Sequence, residues 1–340
     1  MEEKNIKELG EFGLIDELTN SFVSNNANTI KGIGDDAAVI KRGDKAVLIS
    51  TDMLVEGIHF DMMYSPLMHL GYKSVVVNLS DIYAMNAIPS HITMSIAISS
   101  KYDTAAMQEL YKGIKKACEF YNVDLIGGDT TSSLKGLIIS VTAYGTADEN
   151  DVVYRSGAKN GDVICVTGDL GAAYLGLQIL EREKRLYIDN PGVQPELNKH
   201  QYLIERQLKP EARKDTIEFF KNNGLKPTAM IDVSDGLSSD IMHICKQSKL
   251  GAFIEEGKVP MHDETQMMAI DFRLDPITCA LSGGEDYELL FCIDPKDIDK
   301  VRYMPGVAII GEMNDVNDGI KLHTTGGNIF PLKAQGWNHL

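Results

Sequence analysis

"GIGDDAAVI", residues 32–40, sets two adjacent aspartates, Asp35 and Asp36, between a glycine turn and an apolar run that opens at Ala37. The spelling G-x-G-x-x-A suggests a dinucleotide-binding turn, which follows a strand and opens a helix so that pyrophosphate rests on the helix N-terminus. Neither requirement is met. The glycines follow the polar "NANTIK", and "DDAAVI", "KRGDK" and "AVLISTDML" read onward as strand, tight turn and strand. Asp35 and Asp36 would also meet a pyrophosphate with like charge. The chain has no G-x-x-x-x-G-K-[ST] phosphate loop and no H-R-D with D-F-G kinase set. A nucleotide bound here needs another architecture.

Outward from this stretch, strands and helices interleave, giving a mixed α/β class. "IDELTNSFV" has the spacing of an opening helix, and "GYKSVVVNLSDIYAMNA" is a mostly apolar helix with one acid, Asp81. "HITMSIAIS" reads as a strand and "AAMQELYKGIKKACEFYNV" as an amphipathic helix. "VDLIGGDTT" and "GLIISVTAYGTA" return as strands. "RSGAKNGDVICVTGDLGAA" starts a second unit, so the expected division is 1–149 and 150–340. In that second unit "EARKDTIEFFKNNG" and "LSSDIMHICKQS" read as helices, and "AMIDVSDG", "YELLFCI" and "GVAIIG" as strands. The charged, Pro-containing segment 183–200 reads as a surface excursion.

Composition limits the partners. At 340 residues with 44% hydrophobic content, two domains with a substantial core are affordable. A formal charge of -16 argues against binding nucleic acid or anionic membrane through a basic face. An anionic ligand would need divalent metal to offset the repulsion. The cysteines, Cys118, Cys165, Cys245, Cys279 and Cys292, are odd in number and form no C-x-x-C pair, as expected of reduced thiols in a cytoplasmic protein. The start "MEEKNIKELG" lacks the basic and apolar regions of a secretion signal, and no apolar run approaches the roughly 18 residues of a membrane span.

The acids recur in one setting, beside small or glycine residues at the end of apolar runs. They are Asp35 and Asp36 in "GIGDD", Asp52 in "LISTD", Asp81 in "NLSD", Asp129 in "LIGGDTT", Asp232 and Asp235 in "MIDVSDG", and Glu285 and Asp286 in "LSGGEDYE". Each one singly reads more readily as a helix cap or an Asx-turn. As a set they are hard oxygen ligands suited to Mg2+. Two unpaired carboxylates about 4 Å apart repel by about 4 kcal/mol at an effective dielectric of about 20, so a fold that gathers several must also gather cations.

Together "GIGDDAAVI", "STDMLVEGIHF", "NLSDIYAMNA", "IGGDTT", "RSGAKNGD", "IDVSDGLSSD", "SGGEDYELLF" and the terminal "GWNH" resemble the thiamine-monophosphate kinase family, in order and spacing, from about residue 10 to the end. That family belongs to the aminoimidazole-ribonucleotide-synthetase-like superfamily. The resemblance implies an ATP-binding amino-terminal α/β domain whose sheet pairs across a homodimer, followed by a carboxy-terminal α/β domain. The implied reaction is ATP-dependent phosphorylation of thiamine monophosphate to thiamine diphosphate with several Mg2+ ions. By motif it places Mg2+ on Asp36, Ser50, Thr51, Asp52, Asp81, Asp129, Asp232 and Asp235. It places nucleotide contacts on Tyr111, Gly128, Asp129, Arg155 and Ser234, and substrate contacts on His59, Glu285 and Trp337. Asp52 and Asp129, which lie in the densest motifs, read as central to a direct, in-line transfer through metal. Without the resemblance, His59 reads as a half-buried structural histidine, Trp337 as a core anchor and Arg155 as a surface arginine.

Rival readings differ at particular residues. Selenophosphate synthetases carry a reactive Cys or selenocysteine near the start, whereas the first cysteine here is Cys118. The hydrogenase-maturation member of the superfamily ends in a functional cysteine, and this chain ends in "GWNHL". Aminoimidazole ribonucleotide synthetase lacks the combination of "STDMLVEGIHF", "SGGEDYELLF" and "GWNH". A non-catalytic nucleotide- or metal-binding module would not need both donor and substrate motifs.

Overall fold

Residues 6–333 are described by a computed structural model. The opening stretch forms β2 (Ala38–Arg42), between β1 (Thr29–Lys31) and β3 (Lys45–Val55). With β4 (Ile88–Ser99), β5 (Asp124–Ser133) and β6 (Ile138–Asp148) they make a six-stranded sheet of order β1-β2-β3-β6-β4-β5. Only β4 and β5 run parallel, because the crossover between them is a helix. Buried residues alternate along β3 and β6, so one face is covered and the other open. The covered face holds Leu48, Ser50 and Leu54, while Met53 on the other face is 54% exposed.

Two helices cover that face, after α1 (Ile6–Thr19): α2 (Leu67–Ala84) and α3 (Thr104–Tyr121). The first helix was expected to run through Val23 but stops at Thr19, leaving Phe22 and Val23 exposed. Asn20 and Ser21 compete for backbone hydrogen bonds and favour the turn. Helices α2 and α3 cross closely through Gly71 and Gly113. A Cβ on Gly113 would lie 1.8 Å from the Met68 carbonyl oxygen, and one on Gly71 would lie 2.0 Å from that of Leu110. Gly113→Ala must therefore push the helices apart. It is expected to cost at least about 2 kcal/mol, read as a lower urea midpoint; an unchanged midpoint would mean that the crossing is looser than described.

The second sheet has order β13-β12-β9-β11-β7-β10-β8. Its strands are β7 (Val163–Thr167), β8 (Ala229–Val233), β9 (Gly251–Glu255), β10 (Glu288–Ile293), β11 (Val307–Asn314), β12 (Ile320–His323) and β13 (Ile329–Pro331). Strands β8 and β10 are buried along their whole length. Helices α4 (Ala172–Asp189), α5 (Gln201–Leu208), α6 (Lys214–Asn222) and α7 (Leu237–Ser248) accompany it. The sheets change between Asp148 and Val163, yet one buried cluster contains Val75 and Tyr83 from the first half and Phe220 and Phe291 from the second. Part of the expected excursion continues α4 to Asp189, and Glu183 is buried, accepting from the Glu196 N–H at 3.0 Å. The five cysteines are free thiols, four of them buried.

Candidate functional site

The acids meet where the covered face of the first sheet, α2 and the end of β8 come together. Within α2, the polar residues Asn78, Ser80 and Asp81 reach this place. Asn78 Oδ1 accepts from the Asp52 N–H at 2.9 Å, and Ser80 Oγ donates to Asp232 Oδ2 at 2.6 Å. Asp81 accepts from Ser50 Oγ. Asp36, Asp81 and Asp232 each offer a carboxylate oxygen, and the three oxygens lie within 4.8 Å of one another. The glycine turn of residues 32–34 delivers Asp36 into this cluster. Asp35 braces the turn, with its Oδ1 accepting from the Arg155 N–H at 3.0 Å and its Oδ2 lying 3.3 Å from Lys31 Nζ.

Burial and mutual repulsion set the charge state. Burial pushes the Asp36 carboxyl up to about 7; Arg155 opposes that shift, while Asp232 and Asp35 add to it. Burial likewise moves Asp232 up to about 6, with the Ser80 hydrogen bond and Arg155 pulling down and Asp52 and Asp235 pushing up. Asp81 is raised well above the ordinary range by burial and then by Asp52, Asp232 and Asp36. Arg155 supplies a cation to the cluster: its Nε and Nη2 donate to Asp36 Oδ1 at 3.0 and 2.5 Å. The other oxygen, Asp36 Oδ2, is buried without a hydrogen-bond partner. A buried orphan oxygen among hard donors with raised affinity for positive charge fits Mg2+.

The remaining expected metal residues are divided by strand alternation. Ser50 and Asp52 share the covered face with the cluster, whereas Thr51 turns to the open face and donates from Oγ1 to the Val141 carbonyl at 3.1 Å. Asp129 pairs with Ser95, which pairs with Ser140 and in turn Met53, so Asp129 also lies on the open-face row. Within one chain it does not join Asp36, Asp81 and Asp232. It lines a separate pocket at the β5 edge with Tyr111, Gly128, Met94 and Leu125. Two expected nucleotide contacts thus share that pocket with Asp129, while Arg155 and Ser234 lie by the acids. The Ser234 carbonyl accepts from the Glu285 N–H at 2.7 Å.

His59 and Glu285 are brought together through Lys73 and Gln207. One pocket is lined by His59, Phe60, Tyr64, Ser65, Lys73 and Gln207, among others. Lys73 Nζ lies 2.9 Å from Glu285 Oε1, and Gln207 Nε2 donates to Glu285 Oε2 at 2.6 Å. The His59 Nδ1 accepts from the Val55 N–H at 3.0 Å, which places the ring proton on Nε2. Trp337 lies outside the described residues. Sequence reading missed Lys73, Gln207 and Asp240. The signals were a single lysine inside the apolar run of α2 and a second acid five residues after Asp235. Asp240 is buried, its Oδ2 lacks a hydrogen-bond partner, and burial raises its carboxyl well above the ordinary range.

No helix among the described residues is long and apolar enough to cross a membrane. The family model described as AIR synthase related protein, N-terminal domain, matches residues 34–147, and its C-terminal counterpart matches 159–322. Thiamine-monophosphate kinase of Buchnera aphidicola subsp. Schizaphis graminum is 38% identical over 339 residues, covering 98% of this chain and 99% of its own. That of Aquifex aeolicus is 35% identical over 335 residues, with the same coverage. A solved structure described as AaThiL complexed with AMPPCP and TMP superposes with a TM-score of 0.85 at 31% identity, covering all of both chains. A hydrogenase maturation protein HypE in complex with ATP shares the fold at a TM-score of 0.70 and 17% identity, covering 97% of this chain and 98% of its own. Matched by both AIR synthase related domains and by near-full-length relatives, the chain belongs to the thiamine-monophosphate kinase family.

Proposed function

We propose that this chain transfers the γ-phosphate of ATP to thiamine monophosphate, giving thiamine diphosphate and ADP. The observation that carries this reading is its whole-length likeness to a structure holding both AMPPCP and TMP. The chemistry of the site agrees with it. A phosphate monoester has a second pKa near 6 and is largely dianionic at neutral pH, so it needs no strong base as a nucleophile. The difficulty is to bring one anion to another. Mg2+ held by Asp36, Asp81 and Asp232, with Ser50, Asp52 and Asp235 beside them, would offset the phosphate charge, and Thr51 and Asp129, on the open face, would contribute from a second copy. Arg155, Ser234, Tyr111 and Gly128 would hold the nucleotide, and His59, Glu285 and Trp337 the thiamine portion. The free thiols supply no activated nucleophile, since burial raises those of Cys165 and Cys245 to about 12. Transfer is direct and in line.

The assembly we infer is a cytoplasmic homodimer, with residues 1–149 forming the pairing domain and 150–340 completing the site. Strand β5 is a sheet edge exposed along nearly its whole length, and the open face beside it carries Met53. An exposed, partly apolar edge strand is an attachment point for another chain. A second copy on that face would let Asp129 serve the acids of its neighbour, which strand alternation prevents within one chain.

The test is ADP formation with thiamine monophosphate, free thiamine or no acceptor, each with Mg2+ and with EDTA. ADP is expected only with thiamine monophosphate and Mg2+. ADP formed at the same rate without an acceptor would overturn the reading.

A further inference from the structure

Glu285 is held both at its backbone and at its two carboxylate oxygens. Its backbone lies at φ +58°, between Gly284 at +70° and, two residues on, Tyr287 at +52°, a region that disfavours side chains. The loop is pinned there: the Glu285 N–H reaches the Ser234 carbonyl at 2.7 Å, and the Tyr287 N–H reaches that of Val233 at 2.9 Å. Both carboxylate oxygens are engaged. Lys73 Nζ holds Oε1 at 2.9 Å, and Gln207 Nε2 holds Oε2 at 2.6 Å. Lys73 also donates to the Gln207 carbonyl at 3.0 Å, so the two holders brace each other. They come from α2 and α5, on opposite sides of the change of sheet.

The chemistry fixes the orientation. An ionised carboxylate only accepts, so Gln207 must turn its amide NH2 to Glu285. Its Oε1 is left buried and without a protein partner. Lys73 and Gln207 are both 4% exposed. Burying a charge and an unsatisfied amide oxygen is a poor way to gain stability; apolar residues would do that better. What the arrangement achieves is one fixed direction for a carboxylate whose two holders, Lys73 and Gln207, line the pocket of His59.

We propose that Lys73 and Gln207 are positioning residues that hold Glu285 for the thiamine portion of the substrate, so that they govern its recognition and leave the nucleotide untouched. This rests on the reading of Glu285 as a substrate contact. The test compares KM for thiamine monophosphate, KM for ATP and kcat in Glu285→Gln, Lys73→Met, Gln207→Met and the Lys73→Met/Glu285→Gln double variant, with melting curves as the check of folding. Each single variant is expected to raise KM for thiamine monophosphate about 10-fold, with ATP KM and kcat within about 2-fold. Lys73→Arg should recover part of the loss. If Lys73 acts through Glu285, the double variant is no worse than the worse single variant. Multiplying losses in the double variant, or equal rises in both KM values, would overturn the proposal. An unchanged KM in Glu285→Gln would remove the substrate reading of Glu285 and the proposal with it. A raised KM in Glu285→Gln alone, with Lys73→Met and Gln207→Met unchanged, would remove only the positioning role. Should Lys73→Met fail to fold, Gln207→Met decides, since it keeps the Lys73–Glu285 pair.

Discussion

Asp232→Asn folds, melts above the parent protein in divalent-free buffer, and turns over about 10²–10³-fold more slowly. The asparagine Oδ1 still accepts from Ser80 Oγ, which reaches Asp232 at 2.6 Å in the parent. The substitution removes a charge that burial and neighbouring acids disfavour. Because the Asp232 carboxyl is raised to about 6 in the fold, the folded chain keeps a proton there that the unfolded chain releases near 4. The contribution of the group is therefore complete below about 4 and is lost as pH rises through about 6. The stability margin of the variant should widen from pH 5 to pH 7.5, reaching about 1–3 kcal/mol. His243, lowered to about 4 by burial, moves oppositely as its contribution fades below pH 6.5. It is common to both proteins and cancels in the difference. Paired melting curves across that range provide the measurement. A variant less stable than its parent at pH 7.5 without metal would show that the acids do not repel.

Arg155→Met has the opposite sign and a larger effect on stability. The guanidinium binds Asp36 through two nitrogens, with side-chain exposure of 15% for Arg155 and 0% for Asp36. Removing one partner of a buried pair leaves the other charge uncompensated, at a cost of about 3–5 kcal/mol. The loss should be largest at pH 7.5 and smaller at pH 5.5, where Asp36, already raised to about 7, takes up a proton instead. Arg155→Met/Asp36→Asn should recover most of the loss. Urea unfolding at both pH values measures these differences, and a loss below about 0.5 kcal/mol at pH 7.5 would mean that solvent already screens the pair.

What the sequence made legible follows from local pattern. Asp36, Asp52 and Asp232 were readable because each stands against or within an apolar run, with glycine, serine or threonine close by. Asp81 was readable as the lone acid of an apolar helix. Their gathering was not readable, since it depends on α2 lying across β3 and beside β8. The face of Asp129 was equally hidden, because alternation counts from a pairing register that includes an irregularity between Ile92 and Thr93. Strands β9, β12 and β13 passed unnoticed because they are short, with three to five residues each. Lys73 and Gln207 belong to no motif; only the contact between α2, α5 and the Glu285 loop gives them a shared partner.

Following labelled γ-phosphate from ATP tests the central claim most directly. With thiamine monophosphate and Mg2+ present, the label should appear in thiamine diphosphate, one for each ADP formed. Without an acceptor, none should remain on the denatured protein. Label bound to protein in stoichiometric amount, or released as inorganic phosphate while thiamine monophosphate stays unchanged, would contradict direct transfer between the two substrates.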